Sequence, residues 1–394
     1  MAHILIAYKQ FPAPSVGHAG GESLFYLMEA LHQRGHRLTL VARITNEERQ
    51  HLPEVERICD RIVTVRHHRS RGGPRLVAIL RSYLDLRRAI RETIQAVRPD
   101  FVHVETTQTA VIALGLPESP SSYRTQDVNW FLIDQRLRQG FGAQRLTGLR
   151  RWVAIVERAL FRWLEPWVAG QYSLLLAISE GDRRLLARDR SRDSLLFVPL
   201  VPSFTGQETV APAVDGDSNL LFVGAMSRDH NLAGVAWFLD GIWPDIAASV
   251  PDARFYIVGG HPPEALQRRA DGKRVVVTGF VDDLATWYRA ATVFVSPLLV
   301  AGGLLQKVMD AMAMGVPVVA SSVCNHGVGA IPGEHLVTAD EPEAFAAAVI
   351  ELLGNPEARQ RLGAAGRTFV REHYDLETAV DGWDAAIRRL VGER

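Results

Sequence analysis

The sequence predicts two doubly wound α/β domains, each a parallel sheet covered by helices. Three observations lead there. Short apolar runs alternate with helical stretches through residues 1–200. The alternation restarts after a stretch rich in Pro and polar residues at 199–218. In the second half an apolar strand runs into Gly302-Gly303, which opens a helix carrying Lys307 and Asp310, and a second strand follows Gly315 at once.

In the first half, 3–8 reads as a buried strand and 20–34 as a helix closed by Gly35. Strands follow at 37–42 and 61–65, then a long helix over 75–97 stopped by Pro99. Further strands read at 100–104, 121–125 and 173–178, with a helical insertion over 131–170. In the second half strands read at 219–223, 254–258, 275–278, 292–296, 316–320 and 335–338. The end is helical over 342–353, 356–373 and 376–391. This gives a first domain over 1–200, a linker over 201–218 and a second domain over 219–375. A last helix in 376–394 is expected to cross back to the first domain. Ligands of open sheets sit beyond the carboxyl ends of the strands, so a cleft between the domains is the expected site.

With 394 residues, 47% hydrophobic and 22% charged, the chain reads as soluble and globular. No run approaches the roughly 20 apolar residues of a membrane span. The first residues read as a strand and not a signal peptide, so a cytoplasmic setting is expected. Cys59 and Cys324 are the two cysteines; far apart in sequence, they suggest neither a disulfide framework nor a metal site. The net charge of zero hides a split. Residues 1–200 carry 29 Lys/Arg and 20 Asp/Glu, and the remainder carries 15 and 24. The first half is therefore suited to something anionic, or the halves attract each other.

A glycine loop feeding a helix start offers backbone N–H groups and the positive end of a dipole, which suits a diphosphate. Lys307 is within reach of the same anion. Asp310, three residues on along the same face, is suited to a ribose hydroxyl. Only three lysines stand against forty-one arginines, which makes a lysine here less easily filler. The plain alternative is an ordinary helix–strand unit with a solvated Lys–Asp pair.

The second half resembles the C-terminal domain of family 4 glycosyltransferases, which have the GT-B fold. The matching pieces are Leu221-Phe-Val-Gly-Ala-Met226 with Asn231, Ala253-Arg-Phe-Tyr-Ile-Val-Gly259, and Val277-Thr-Gly-Phe-Val-Asp-Asp283. Val295-Ser-Pro297, Gly302-Gly303 through Lys307, Asp310-Ala-Met-Ala313, Gly315-Val-Pro-Val-Val319 and Gly327 complete them. In the first half the marks are Gly20-Gly21-Glu22, Asp100-Phe-Val-His103, Arg124-Thr-Gln-Asp-Val128, and Ala177-Ile-Ser179 before Asp182.

The resemblance implies retaining transfer of a sugar from a nucleotide diphosphate sugar of UDP or GDP type. The donor would lie on the second domain and the acceptor on the first. It implies no metal and no other cofactor, because basic side chains and helix starts stabilise the leaving diphosphate. Lys307 and the amides of Gly303, Leu304 and Leu305 match that role. Asp310 matches a ribose-binding carboxylate, and Phe280 and Val281 match the strand end beside the base. Gly224 falls on the donor side, and Gly20 and Gly21 match the loop that closes over the phosphates. The acceptor would be a glycan, a lipid-linked acceptor or a small molecule, in surface polysaccharide or glycoconjugate synthesis.

Three positions depart from the family pattern. Gly302 replaces the first of two glutamates eight residues apart, and Asp310 shortens the second. Ala225 stands where an arginine is usual, leaving Arg228, and less well His230, as substitutes. Gln126 replaces a histidine. A catalytically weak or inactive GT-B protein that supports a partner transferase is therefore the alternative. A nucleotide-sugar epimerase is a more distant one. A Rossmann dehydrogenase is disfavoured, since no G-x-G-x-x-G follows the first strand.

Arg228 is a candidate β-phosphate ligand, or else a solvated loop arginine. Asp127 is a candidate to orient the acceptor or accept its proton, or else a helix cap. His18, His103, Arg124 and Gln126 are acceptor-side candidates; for His103 and His18 the plain readings are a satisfied histidine and a loop surface residue. Arginines interleaved with Trp152, Phe161, Trp163 and Trp167, and a basic stretch at 66–75, suggest an anionic membrane face, inner and peripheral. The plain reading is core aromatics with a solvated arginine face. Nucleic acid is not expected, as no recognition motif accompanies the charge.

Overall fold

A computed structural model of the chain describes residues 1–14, 16, 19–66, 75–139, 147–186, 195–198, 202–204 and 212–392. Among them are two parallel sheets. The first holds β1 (His3–Tyr8), β2 (Arg37–Ile44), β3 (Arg61–Arg66), β4 (Phe101–Glu105), β5 (Ser121–Thr125), β6 (Leu174–Ala177) and β7 (Leu195–Phe197). Its order is β3-β2-β1-β4-β5-β6-β7. The second holds β8 (Asn219–Val223), β9 (Arg254–Val258), β10 (Val275–Gly279), β11 (Val293–Ser296), β12 (Val318–Ala320) and β13 (Val337–Thr338), in the order β10-β9-β8-β11-β12-β13. Each expected strand is present, within a residue or two at most ends. The three-residue β7 was not expected; it is too short to show a period against its neighbours.

Continuous apolar runs form the central strands because helices cover both sheet faces. Ile4, Ile6 and Tyr8 of β1 are fully buried on one face with Phe25 and Leu27 of the Ala19–Gln33 helix. Leu5 and Ala7 point to the other face, among Leu86 and Ile90 of the Arg75–Val97 helix. This period of two is what a strand with two buried faces requires.

The chain divides into two compact units. Residues 1–128, 160–200 and 376–394 form one, and 129–159 with 201–375 form the other. The Leu376–Gly392 helix belongs to the first unit through charge pairing and one large side chain. Arg34 pairs with Glu377 at 2.7 Å and Asp381 at 2.6 Å, His36 with Asp384 at 2.6 Å, and Trp383 is fully buried. Residues 129–159, which the sequence reading puts in the first domain, group with the second unit. There the Gln135 carboxamide forms two bonds with the Ala301 backbone, donating to its carbonyl at 2.8 Å and accepting from its N–H at 2.9 Å. Phe131 lies against the His326 ring, 4.4 Å between centroids.

Candidate functional site

In the second unit the strand order reverses between β8 and β11, and the loops after these two strands meet. Such a reversal opens a crevice at the carboxyl ends of a parallel sheet. Backbones pass unusually close here. A Cβ on Gly259 would lie 2.0 Å from the Gly224 carbonyl oxygen, so only glycine fits. The Gly224 N–H donates to the Val258 carbonyl at 2.9 Å, tying the end of β8 to β9. After β11 the chain reaches Gly303, whose φ is +59°. Gly327, on the Ser322–Val328 helix, abuts this turn; a Cβ there would lie 1.8 Å from the Gly303 oxygen. Leu304 is buried, Leu305 is the N-cap in extended conformation, and the Gln306–Ala313 helix begins.

Lys307 stands in the first turn of that helix. Its Nζ donates to Asn231 Oδ1 at 2.8 Å and lies 4.4 Å from the centre of the Phe222 ring. A Cβ on Gly224 would come within 2.8 Å of this Nζ. Glycine at 224 thus leaves the ammonium uncovered on the β8 side. Burial, with the Arg228 charge adding to it, lowers the Lys307 pKa to about 7. His230 falls to about 4, through burial and then through Lys307, Arg228 and Arg136, with Asp229 opposing. Three cationic side chains and a neutral imidazole therefore share one field. Arg228 is exposed at the N-cap of the Asp229–Gly241 helix, three residues beyond Ala225. A helix start leaves amide N–H groups without partners inside the helix. Two helix starts and this cationic group make a site for an anion of high charge.

Asp310 is placed differently from the expectation for a ribose ligand. It is 5% exposed, and its Oδ1 accepts from the Ser203 N–H at 2.7 Å and from Gln306 Nε2 at 3.0 Å. Phe204 packs edge-on against Tyr288, 5.6 Å between centroids, so the carboxylate helps hold the 202–204 stretch to this unit. Phe280 is 78% exposed just after Gly279 at the end of β10, and Val281 is half-buried. An exposed ring at a strand end is a natural stacking surface for a planar base.

In the first unit the strand order reverses between β1 and β4, and a buried polar network fills that point. Glu105, which sequence reasoning missed, is its centre. Both of its oxygens accept from Arg124 Nε at 3.0 Å, Oε1 also from Gln126 Nε2 at 2.9 Å, and Oε2 lies 3.1 Å from His103 Nε2. Burial alone would raise the Glu105 pKa, but the Arg124 charge and the bonds from His103 and Gln126 hold it below the ordinary carboxyl range. His103 is pushed down by burial against the pull of Glu105, and its Nδ1 lies 2.8 Å from Ser122 Oγ. Arg124 and His103 are fully buried; His103 is thus the satisfied histidine of the plain reading, and the Arg124 side chain is not open to an acceptor. Gln126 and Arg124 both reach the Ala19–Gln33 helix, Arg124 by donating from Nη2 to Ser23 Oγ at 3.2 Å. A Cβ on Gly20 would lie 2.5 Å from Gln126 Nε2, so the glycine lets the Ala19–Gln33 helix start on top of the network. Gly21 follows within that helix, and His18 lies outside the described residues. Asp127 is half-buried near Asp182, whose pKa burial raises to about 7, with Asp127 and Glu165 adding. Among the described residues no cluster of His, Cys, Asp or Glu is suited to a metal ion.

Asn231 is the second residue missed as part of the site. The sequence marks it only as part of the resemblance; its place beside Lys307 depends on how β8 and the Asp229–Gly241 helix pack. No local signal in the sequence ties Arg136 to His230, whose charge environment it shares.

Comparison with known proteins identifies the family and the fold. The model for Glycosyltransferase Family 4 matches residues 20–195, and that for Glycosyl transferases group 1 matches 217–355. An uncharacterised 44.6 kDa protein of the cps region of Klebsiella pneumoniae is 28% identical over 165 residues, 40% of this chain and 42% of that protein. The phosphatidyl-myo-inositol mannosyltransferase of Mycobacterium leprae is 33% identical over 160 residues, 39% of this chain and 42% of that one. The chain thus matches about two fifths of the length of these curated relatives. Among solved structures, sucrose-phosphate synthase from Thermosynechococcus elongatus superposes over 100% of both chains with a TM-score of 0.75 at 17% identity. Anabaena HepE in complex with UDP gives 0.67 at 14% identity, over 98% of this chain and 100% of that one. The two family matches together take in both sheets, and the fold is GT-B: the chain belongs to the family 4 glycosyltransferases.

Proposed function

We propose that this protein moves a hexose from a UDP- or GDP-linked donor to a glycan or lipid-linked acceptor with retention of configuration, in the synthesis of a surface polysaccharide or glycoconjugate. The observation that carries the reading is the Lys307 ammonium at the β8/β11 reversal, uncovered by Gly224 and grouped with Arg228. A leaving nucleoside diphosphate gains negative charge as the glycosidic bond breaks. Fixed cations and helix-start amides placed there lower the barrier without reorganising. Lys307, Arg228 and the amides of 303–305 hold the diphosphate, and Phe280 and Val281 flank the base. Asp127 is the acceptor-side carboxylate, with Gln126 and the helix start at Gly20-Gly21 shaping its surroundings. His103 and Arg124 act through Glu105 and Gln126 as positioning groups. Because charge on the diphosphate is met by side chains and backbone, transfer is expected to persist in a chelator. The HepE complex with UDP and the mannosyltransferase relative support a nucleotide-linked hexose.

A thermal-shift screen of UDP, GDP and their hexose conjugates tests the reading. A ligand at 100 times its Kd should raise stability by about 2.7 kcal/mol. With the donor so identified, Lys307→Ala should lower turnover by about a hundredfold while the protein stays folded. Normal turnover by a folded Lys307→Ala protein would overturn the site, and failure of every nucleotide to bind would overturn the function.

A further inference from the structure

The Gly148–Ala169 helix buries one face and leaves the opposite one apolar. Ala154, Glu165, Val168 and Ala169 are buried. The outward face carries Leu149, Trp152, Val156, Leu160, Trp163 and Trp167, between 45% and 75% exposed. Their spacing of three and four residues draws one continuous stripe along the helix. Eight of the fourteen large apolar side chains exposed among the described residues lie on this helix, and so do all three exposed tryptophans. The Trp163 and Trp167 rings are parallel within 7° at 5.9 Å. Scattered exposed apolar residues need no explanation, but a contiguous stripe does.

The rest of the helix surface is basic. Arg150, Arg151 and Arg162 are exposed on the sides of the helix between the stripe and the buried face, against one exposed acid, Glu157. Arg158 is drawn instead to Asp134 at 2.6 Å, which fastens the helix to the preceding Asn129–Gln139 helix. No helix among the described residues is long and apolar enough to cross a membrane. A helix with a tryptophan-rich face and arginine flanks has the makeup of one that lies in the headgroup plane, apolar face inward, its cations on anionic lipid. A second copy of the same helix would bring like net charges together, an unfavourable match.

We infer that the outward face of the Gly148–Ala169 helix docks on an anionic lipid bilayer, with Trp152, Trp163 and Trp167 entering the interface. This goes beyond the transfer reaction and does not depend on it, and the test needs no sugar nucleotide. The full chain is floated with vesicles of phosphatidylcholine alone or mixed with phosphatidylglycerol. It should float with the mixed vesicles at low salt, and high salt should weaken the capture. Brominated lipid should quench tryptophan emission, because Trp152, Trp163 and Trp167 are the exposed indoles. The Trp152→Glu/Trp163→Glu protein should bind at least about tenfold more weakly, two apolar anchors being replaced by charges that bilayers disfavour. Its side chains point away from the core, so its melting should match the parent; if it does not fold, quenching of the parent decides. Three results overturn the inference: no flotation with anionic vesicles at low salt, flotation without quenching, or a dimer by light scattering that the double substitution dissolves while vesicle binding is absent.

Discussion

The Lys307 ammonium donates to the Asn231 carboxamide oxygen at 2.8 Å, and the same carboxamide donates to the Ala225 carbonyl at 2.9 Å. Asn231 thus fixes the lysine against the turn after β8, and it does so with a neutral group. A carboxylate there would neutralise the charge that an anionic ligand needs. The pair holds a cation in place while leaving its field unspent.

This pairing gives nucleotide binding a pH dependence. Lys307 titrates near 7, below its ordinary 10.5, because its partly buried surroundings desolvate the charge and Arg228 is close. A bound diphosphate favours the charged form and pulls the pKa back up. Affinity is therefore full below about pH 7 and falls as pH rises through that value, with up to about one proton taken up per ligand. Calorimetry with UDP or GDP between pH 6 and 9, in buffers of different ionisation enthalpy, measures both. In Asn231→Asp the added carboxylate should move the falling limb to higher pH and weaken binding throughout. Affinity that is flat across this range would remove Lys307 from the diphosphate.

Gly224→Val tests the approach to that ammonium. Even the first carbon of the new side chain would lie 2.7 Å from Asn231 Nδ2 and 2.8 Å from Lys307 Nζ. Both side chains would have to move, so nucleotide affinity should fall by tenfold or more, on the order of 1–3 kcal/mol for overpacking. Lys307 can swing away more cheaply than backbone can, so melting should fall less than binding. Unchanged affinity for the nucleotide that binds the parent would show that ligand does not pass Gly224.

Much of this was legible in sequence, and the reasons differ by residue. Gly302-Gly303 and Lys307 lie within one strand–loop–helix, so local pattern alone placed the lysine at a helix start. The strand ends at Gly224 and Gly279 were legible because β8 and β10 are continuous apolar runs closed by glycine. Asp310 was not, because Ser203, which binds it, lies 107 positions away across a linker without periodicity. His103 and Arg124 looked like site residues because charged groups at strand ends usually are. What buries them is Glu105, at the end of β4, whose importance rests on parallel register: β4 and β5 place Glu105 opposite Arg124. Register between strands is a tertiary fact, and no local spacing encodes it.

Asp310→Ala should cost stability first and binding second. The substitution leaves the partly buried Ser203 N–H and Gln306 carboxamide without the oxygen they now share. Water reaches this edge, so the loss should sit at the low end of the about 1–3 kcal/mol of an unsatisfied buried donor. Urea unfolding should show the loss, and proteolysis near 202–204 should quicken. A ribose role predicts the reverse, with melting unchanged and nucleotide affinity reduced; that pattern would overturn the tether.

Glu105→Gln should be the most damaging of the single changes to the first unit. Glu105 carries the charge that Arg124 answers, both side chains being fully inaccessible to solvent. Removing one partner of a buried pair strands the other, typically at about 3–5 kcal/mol. The pH signature follows from the same pair. The folded Glu105 pKa lies below its ordinary 4.5, so its contribution is present above that value and is lost as pH falls through the folded pKa. The parent should therefore lose stability in acid more steeply than Glu105→Gln, which has no carboxyl to protonate there. Adding Arg124→Met should recover part of the loss at neutral pH, since the stranded charge is gone. Urea denaturation of the three proteins between pH 3 and 7 measures all of this. Equal stability of the parent and Glu105→Gln at pH 7 would mean that the Glu105–Arg124 pair does not hold the polar core beneath Gly20 and Gln126 together.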